Sequence, residues 1–421
     1  MTTTAPRPAP ARPTYTALLR TRGTAQLFGL SLANVLGSSL QILALSVLVY
    51  AQTGSALWSS AAFAAGFLPQ LLGGALLTSL ADRLPTKPLL AAGAVIRAAV
   101  AALLATAHLP AGAAIAIVAV VAVVQPVPSA AQSALVARLL TGDLYVLGRS
   151  VFNLISSGAQ LAGLAAGGAV VAFLGVPAAF GVAAGVQVLG LIGILLLPDV
   201  GRPTTPATRW HPRDTWRGNA ALLADRTVRR ILVSWWLPAM LLVAGESLVV
   251  AYVGEQGDPV SHTGIMLAAF PAGAAVGDLL VGRWLPPQWR RRSVPWLLAL
   301  VGAGLLPLAW HPPIALATAC LAAASAGSAY QLGGQQAFIA AVPLDRQGLA
   351  FGLFGTGMMG FQGLGPVVAG AVADGVGAGV TITALGVAIL IATVFLGRVP
   401  DVAPREVETA PHQEAVLPHP T

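Results

Sequence analysis

Pro198 to Arg230 reads PDVGRPTTPATRWHPRDTWRGNAALLADRTVRR. Seven arginines and four prolines fall in this stretch, and it is the longest polar interruption between the chain ends. On both sides of it the sequence consists of apolar runs separated by short polar turns. Before it the runs are 24–50, 56–80, 88–107, 112–137, 150–173 and 177–197. After it they are 231–252, 263–282, 294–310, 313–338, 347–373 and 377–397. A bilayer core of about 30 Å needs roughly 20 residues of helix, and these runs are of that length. Six runs, a basic linker and six more runs are the layout expected of two similar halves.

Composition excludes the soluble classes. Hydrophobic residues make up 56% of the 421-residue chain and charged residues only 9%, against roughly 25% charged in an ordinary soluble domain. Such a chain cannot cover itself with a polar shell. The predicted class is all-α integral membrane, with 12 transmembrane helices in two six-helix pseudo-symmetric bundles. The expected divisions are an arm over 1–22, bundles over 23–197 and 231–398 joined by the linker 198–230, and a tail over 399–421. Arm and tail are rich in polar residues and proline and read as disordered. Pro and Gly inside the runs do not argue against helix, because lipid forces internal hydrogen bonding. One internal echo supports two halves: Ala81-Asp82-Arg83-Leu84-Pro85 follows the second run, and Gly282-Arg283-Trp284-Leu285-Pro286 follows the eighth.

The charges then sort by side. Threading twelve spans puts 22 of the 23 Lys and Arg on the side of the termini and the linker. The exception is Arg97, inside the third run. The opposite side holds no Lys or Arg and carries Glu255, Asp258 and Asp374. This is the positive-inside pattern, and it predicts a multi-pass protein of the cell membrane with both termini cytoplasmic. The net charge of +8 is thereby assigned to topology and anionic lipid rather than to nucleic acid.

Four motifs resemble the major facilitator superfamily. Gly74–Lys87, GALLTSLADRLPTK, resembles its loop motif of Gly…Asp-Arg-x-Gly-Arg-Arg; Asp82 and Arg83 match, and Pro85-Thr86-Lys87 replaces Gly-Arg-Arg. Pro126–Leu140, PVPSAAQSALVARLL, resembles a stretch of the drug-, macrolide- and enterobactin-exporting branch. Asn153 with Gly163–Gly168, GLAAGG, resembles the antiporter motif, with Leu164 at its Pro position; Gly365-Pro366 keeps a Gly-Pro pair in the other half. Arg346–Leu353, RQGLAFGL, resembles an Arg-Gly stretch of the efflux members. The resemblance implies a transporter in which Asp82 and Arg83 form a cytoplasmic gate; Asp278, near the cytoplasmic end of span 8 and five residues before Arg283, reads as part of a gating or interface salt bridge rather than as transport chemistry. The resemblance also implies helix packing through Gly163, Gly167, Gly168, Gly365 and Pro366, and a central cavity between spans 1, 4, 7 and 10.

Ionisable residues inside spans are functional candidates, since burying them costs several kcal/mol unless they are paired or hydrated. Glu246, in span 7, is the acid set well inside a span, and is the candidate for proton coupling or cation binding. A hydrated acid at the outer mouth is the other reading. Arg97 reads as a structural arginine bonded to helix carbonyls near the 2–3 loop, or as a cavity charge facing an anionic group. Asn34, Gln41, Gln125, Gln331, Gln335 and Trp235 fall on the four cavity spans and are the substrate candidates, with interhelical hydrogen bonding as the plainer reading of each.

The six histidines have no metal spacing, the single cysteine, Cys320, permits no internal disulfide, and no P-loop is present. No cofactor, metal or enzymatic activity is expected. The resulting expectation is a monomeric secondary transporter that exports a small amphipathic compound against protons within the lipid bilayer. A facilitator or importer of the same fold stays open, as does a non-transporting sensor or enzyme.

Overall fold

The computed structural model describes residues 18, 21, 23–77, 84–140, 143–197, 212–343 and 346–397. Among them the ordered elements are helices, with no strand. The first half holds α1 (Thr24–Thr53), α2 (Ala56–Ala64), α3 (Gln70–Leu76), α4 (Thr86–Thr106), α5 (Ala111–Val124), α6 (Pro126–Leu139), α7 (Asp143–Leu174) and α8 (Val176–Leu195). A helix in the predicted linker, α9 (Pro212–Ala224), leads to α10 (Arg226–Ser247), α11 (Val249–Glu255), α12 (Val260–Trp284) and α13 (Pro287–Leu305). Then come α14 (Ile314–Ala326), α15 (Tyr330–Ala341), α16 (Gln347–Val376) and α17 (Ala378–Leu396).

Among the described residues nine helical stretches are long and apolar enough to cross a membrane. The three remaining predicted spans differ for local reasons. Run 56–80 is broken between α2 and α3 by a turn containing Gly66 and Pro69, where Gln70 Nε2 donates to the Gly66 carbonyl. Run 313–338 is broken between α14 and α15 by a 3-10 turn, Gly327–Ala329. Run 347–373 is one helix, α16, but nine of its 30 residues are glycine, which dilutes its hydropathy. Most of the predicted arm and the whole tail, 399–421, lie outside the described residues.

Turns at one end of the molecule consume the acids of the basic-poor side. Glu255 accepts the backbone N–H of Ala378, at the start of α17, at 2.9 and 3.1 Å. Asp258, just ahead of α12, pairs with His262 Nδ1 at 3.4 Å. Asp374 accepts from Ser55 Oγ at 2.7 Å, Ala56 N at 2.6 Å and Leu57 N at 3.2 Å, and so caps α2 from another helix. Carboxylates are stabilised at helix N-termini, where unpaired N–H groups and the helix dipole face them. Gly54 ends α1 beside this cap with φ 63°, a left-handed conformation that glycine adopts without a Cβ penalty.

The two halves meet along α2–α16 and α7–α12. Close approach there depends on glycine. A Cβ on Gly168 would run into the backbone of Gly264, and one on Gly370 would lie 2.8 Å from Leu57 Cα and 2.9 Å from the Ala56 carbonyl. Gly168 and Gly370 fall in the last two turns of α7 and α16, and Gly264 and Ala56 in the first two turns of α12 and α2. The seam is therefore close at the acidic end, and it continues to mid-helix, where a Cβ on Gly363 would lie 2.7 Å from Leu68 Cβ.

Candidate functional site

Arg97 lies in the middle of α4 and is only 7% exposed. Its Nε donates to Gln187 Oε1 at 3.3 Å, Nη1 to Gln125 Oε1 at 2.9 Å and Nη2 to Asn34 Oδ1 at 2.6 Å. Four elements thus converge on one guanidinium: α4, α8, α1 and the α5–α6 junction. That junction exists because Pro126 and Pro128 lack the N–H groups that would continue the helix ladder, and Gln125 sits at the break. Two glycines make the space. A Cβ at Gly37 would press on the Gln187 amide, and one at Gly93 would meet Pro128 and approach Arg97 Nη1.

The partners are neutral. Residues 1–197 contain two acids, Asp82 and Asp143, both between the apolar runs. Arg97 thus has no acid within the spans of its own half. The sequence reading that tied it to helix carbonyls is corrected: its partners are side-chain amides, because α1, α5 and α8 each bring one polar residue to its level. Asn34 and Gln125, read as separate cavity residues, are two of them. Gln187 was missed, although a lone Gln in the apolar run GVQVLG was a visible signal.

One face of α1 continues from this cluster. Asn34, Ser38 and Gln41 follow at steps of four and three residues, the spacing of one helix face, and all three are half-buried. Gln41 makes no side-chain hydrogen bond among the described residues. In the second half, Gln331 is half-buried and Gln335 exposed on α15.

On α10, Trp235, Ala239, Leu242 and Glu246 share a face by their steps of four, three and four. Glu246 is half-buried and carries no ion pair or hydrogen bond among the described residues. The next residue, Ser247, is hydrogen-bonded at 3.4 Å to Ser60 of α2, across the seam. Trp235 is not a cavity residue. It is 4% exposed and packs on Phe338 at 5.2 Å and Phe354 at 5.0 Å, because an aromatic cluster on α15 and α16 takes up its apolar surface.

The predicted gate is only partly in view. Asp82 and Arg83 lie outside the described residues. Asp278 and Arg283 are both exposed and form no ion pair among the described residues. Five residues apart on one helix, they do not face each other. The glycines of the packing motifs do touch neighbours. Gly163 lies against Leu36 and Ser39, Gly167 against Leu40 and Leu43, and Gly365 against Met240 and Ala244, while Pro366 is buried in α16.

This helical scaffold, with broken helices around buried polar groups, matches solved transporters in fold. A POT family transporter in complex with a thioalcohol conjugated peptide superposes with TM-score 0.69 at 14% identity, covering 89% of this chain and 95% of that one. Nucleoside transporter NupG (D323A mutant) gives 0.67 at 17%, covering 89% and 99%. A bacterial homolog to the human lysosomal transporter Spinster, inward-facing and unoccupied, gives 0.69 at 13%, covering 89% and 95%. A comparison with curated protein sequences finds no match. The family model described as Major Facilitator Superfamily matches residues 27–285 and 247–419. Sequence model and helical architecture agree, and the chain belongs to the major facilitator superfamily.

Proposed function

We propose that the protein is a secondary transporter that exports a small amphipathic organic compound in exchange for protons. Twelve spans form two six-helix bundles that rock about a midplane site. The broken stretches α2–α3 and α14–α15 count as one span each. The basic end faces the cytoplasm of the cell and the acidic end faces outward, and the protein works as a monomer in the bilayer. Export rests on the motif resemblance of Pro126–Leu140 and Arg346–Leu353, and proton antiport on that of Gly163–Gly168 with Asn153 and on Glu246 as the acid inside a span.

The observation that carries the alternating-access reading is the location of the seam. Glycine contacts and the Asp374 cap join the halves at the acidic end, as expected for a state closed to the outside. The chain's acid deepest in a span, Glu246, sits next to the Ser60–Ser247 contact across that seam. A proton exchanged at Glu246 would therefore be sensed where the halves separate. Asp82, Arg83, Asp278 and Arg283 would serve the opposite closure at the basic end.

Flux in proteoliposomes under an imposed proton gradient tests this reading. Gradient-driven movement of a substrate found by screening in an efflux-deficient host is expected. Glu246→Gln is expected to keep substrate exchange at equilibrium and to lose gradient-driven accumulation. Accumulation by Glu246→Gln equal to that of the parent protein overturns the assignment of Glu246.

A further inference from the structure

The arrangement around Arg97 leaves two requirements unmet. A guanidinium has five N–H donors, and the three amide oxygens take one from each nitrogen. One hydrogen on Nη1 and one on Nη2 remain. Gln187 Nε2, on a residue only 1% exposed, also has no acceptor among the described residues. Donors exceed acceptors at this spot. The positive charge is not neutralised either, because all three partners are uncharged and no acid lies in the spans of the first half. A purely structural arginine in a membrane protein is expected to be paired.

The cluster also has an open side. Gln187 closes it toward α8, whereas Asn34 and Gln125 are half-buried. From Asn34 the polar face of α1 runs on through Ser38 to Gln41, which has no side-chain partner among the described residues. A ligand approaching along this face meets neutral hydrogen-bonding groups first and the guanidinium last.

We infer that Arg97, framed by Asn34, Gln125 and Gln187, binds an oxyanion of the transported compound, so the substrate is an organic anion such as a carboxylate. The inference rests on the transport reading above and narrows its substrate. A carboxylate supplies two oxygens for the two free Nη hydrogens in the planar fork geometry that arginine favours. It also supplies the missing charge. The remainder of the compound lies along Ser38 and Gln41 and the apolar residues between them. An anion moved outward also runs with an inside-negative membrane potential, in the same electrical sense as protons moving inward. Asn34, Gln125 and Gln187 are positioning residues that hold the guanidinium toward the open side.

The test uses the purified full-length protein with matched probes: naphthyl- and pyrenyl-alkanoic acids, their primary amides and the corresponding amines. Binding is measured by thermal shift and by quenching of the intrinsic tryptophans. Acids are expected to bind roughly 10- to 100-fold more tightly than their amides, the range for hydrogen bonds to a charged group. Arg97→Gln is expected to bring the acid-to-amide ratio to about one while amide binding persists; loss of a merely structural arginine would weaken both alike. Arg97→Lys is expected to retain part of the acid preference, and it serves if Arg97→Gln does not fold. Acids binding no better than amides, or a preference that survives Arg97→Gln, overturns the inference. Proteoliposome flux separates the two readings. An acid that binds through Arg97 but is not moved breaks the transport reading and leaves the site. Amines moved with no preference for acids break the site and leave transport.

Discussion

The two halves of this chain fill the same kind of space by opposite means. In the first half a cation is held by three amides from three neighbouring elements. In the second, Trp235, Phe338, Phe351 and Phe354 interlock with ring centroids 5.0–5.4 Å apart. Hydroxyl and indole groups there bond to backbone carbonyls: Tyr330 Oη donates to Trp235 O at 2.9 Å and Trp236 Nε1 to Phe354 O at 3.0 Å. Setting Leu84-Pro85 against Leu285-Pro286, the echo after the second and eighth runs, places Arg97 opposite Leu298 (97 − 84 = 298 − 285), which is buried in the apolar core. Where one half holds a charge, the other holds a leucine. A polar core is specific and open to a ligand; an aromatic core is rigid and dry. This division suggests that the first half carries recognition and the second carries mechanical integrity.

The comparison is broken most severely at its aromatic side. Trp235→Ala removes a buried indole and both ring contacts, and is expected to cost about 3–5 kcal/mol. Thermal unfolding in detergent, followed by size-exclusion chromatography, reads the loss. A shift no larger than that of an exposed tryptophan such as Trp296 would show that the second half does not depend on this cluster. Arg97→Met comes next. It keeps volume but leaves three amide oxygens without their donor, one of them on fully buried Gln187. A cost of about 1–3 kcal/mol is expected, since the two half-buried amides can turn to water. Combining Arg97→Met with Gln187→Leu should recover part of it, because removing both partners spares the unpaired group. No recovery in the double variant would mean that the amides, not the arginine, hold this core.

Much of the helical framework could be read in the sequence because membrane spanning is a matter of length and hydropathy, and both are local. The runs at 88–107 and 177–197 became α4 and α8 with ends shifted by one or two residues. What failed was of two kinds. Helix breaks at Gly66–Pro69 and Gly327–Ala329 were hidden inside apolar runs, since hydropathy does not report backbone hydrogen bonding. Contacts across the fold were hidden as well. Asn34, Arg97 and Gln125 were each conspicuous as polar residues in apolar runs, but their meeting depends on how four elements pack. Trp235 misled because an aromatic residue on a cavity-type helix is as able to face a core as a ligand. Asp374 appeared only as a charge on the acidic side. That it caps a helix 318 residues away follows from the seam, which no local pattern encodes.

Asp374 tests the link between the halves rather than either core. Its carboxylate is exposed, so solvent screens it, and Asp374→Ala is expected to cost only about 0.5–1 kcal/mol in stability. Its larger effect should fall on conformation. Losing three bonds across the seam favours separation of α2 from α16. Spin labels at Trp58 and Val372, both exposed near that end, should report a longer mean distance in Asp374→Ala than in the parent protein. An unchanged distance distribution would mean that the glycine contacts alone hold the seam.

Gln41 gives the smallest structural effect and the cleanest separation of recognition from stability. It is half-buried with no partner among the described residues, so Gln41→Leu breaks no bond, and the added apolar surface offsets the lost amide hydration. The change in thermal stability should stay within about 0.5 kcal/mol. If the polar face of α1 is where a compound lies, the same variant should still weaken its binding or slow its transport, because a bound polar group then loses its partner while the fold loses nothing. The corresponding change in the second half, Phe354→Leu, should do the reverse: lower stability through the lost contact with Trp235 and leave affinity unchanged. Should Gln41→Leu destabilise the protein, or Phe354→Leu alter affinity with stability intact, recognition and integrity would not be divided between the halves in this way.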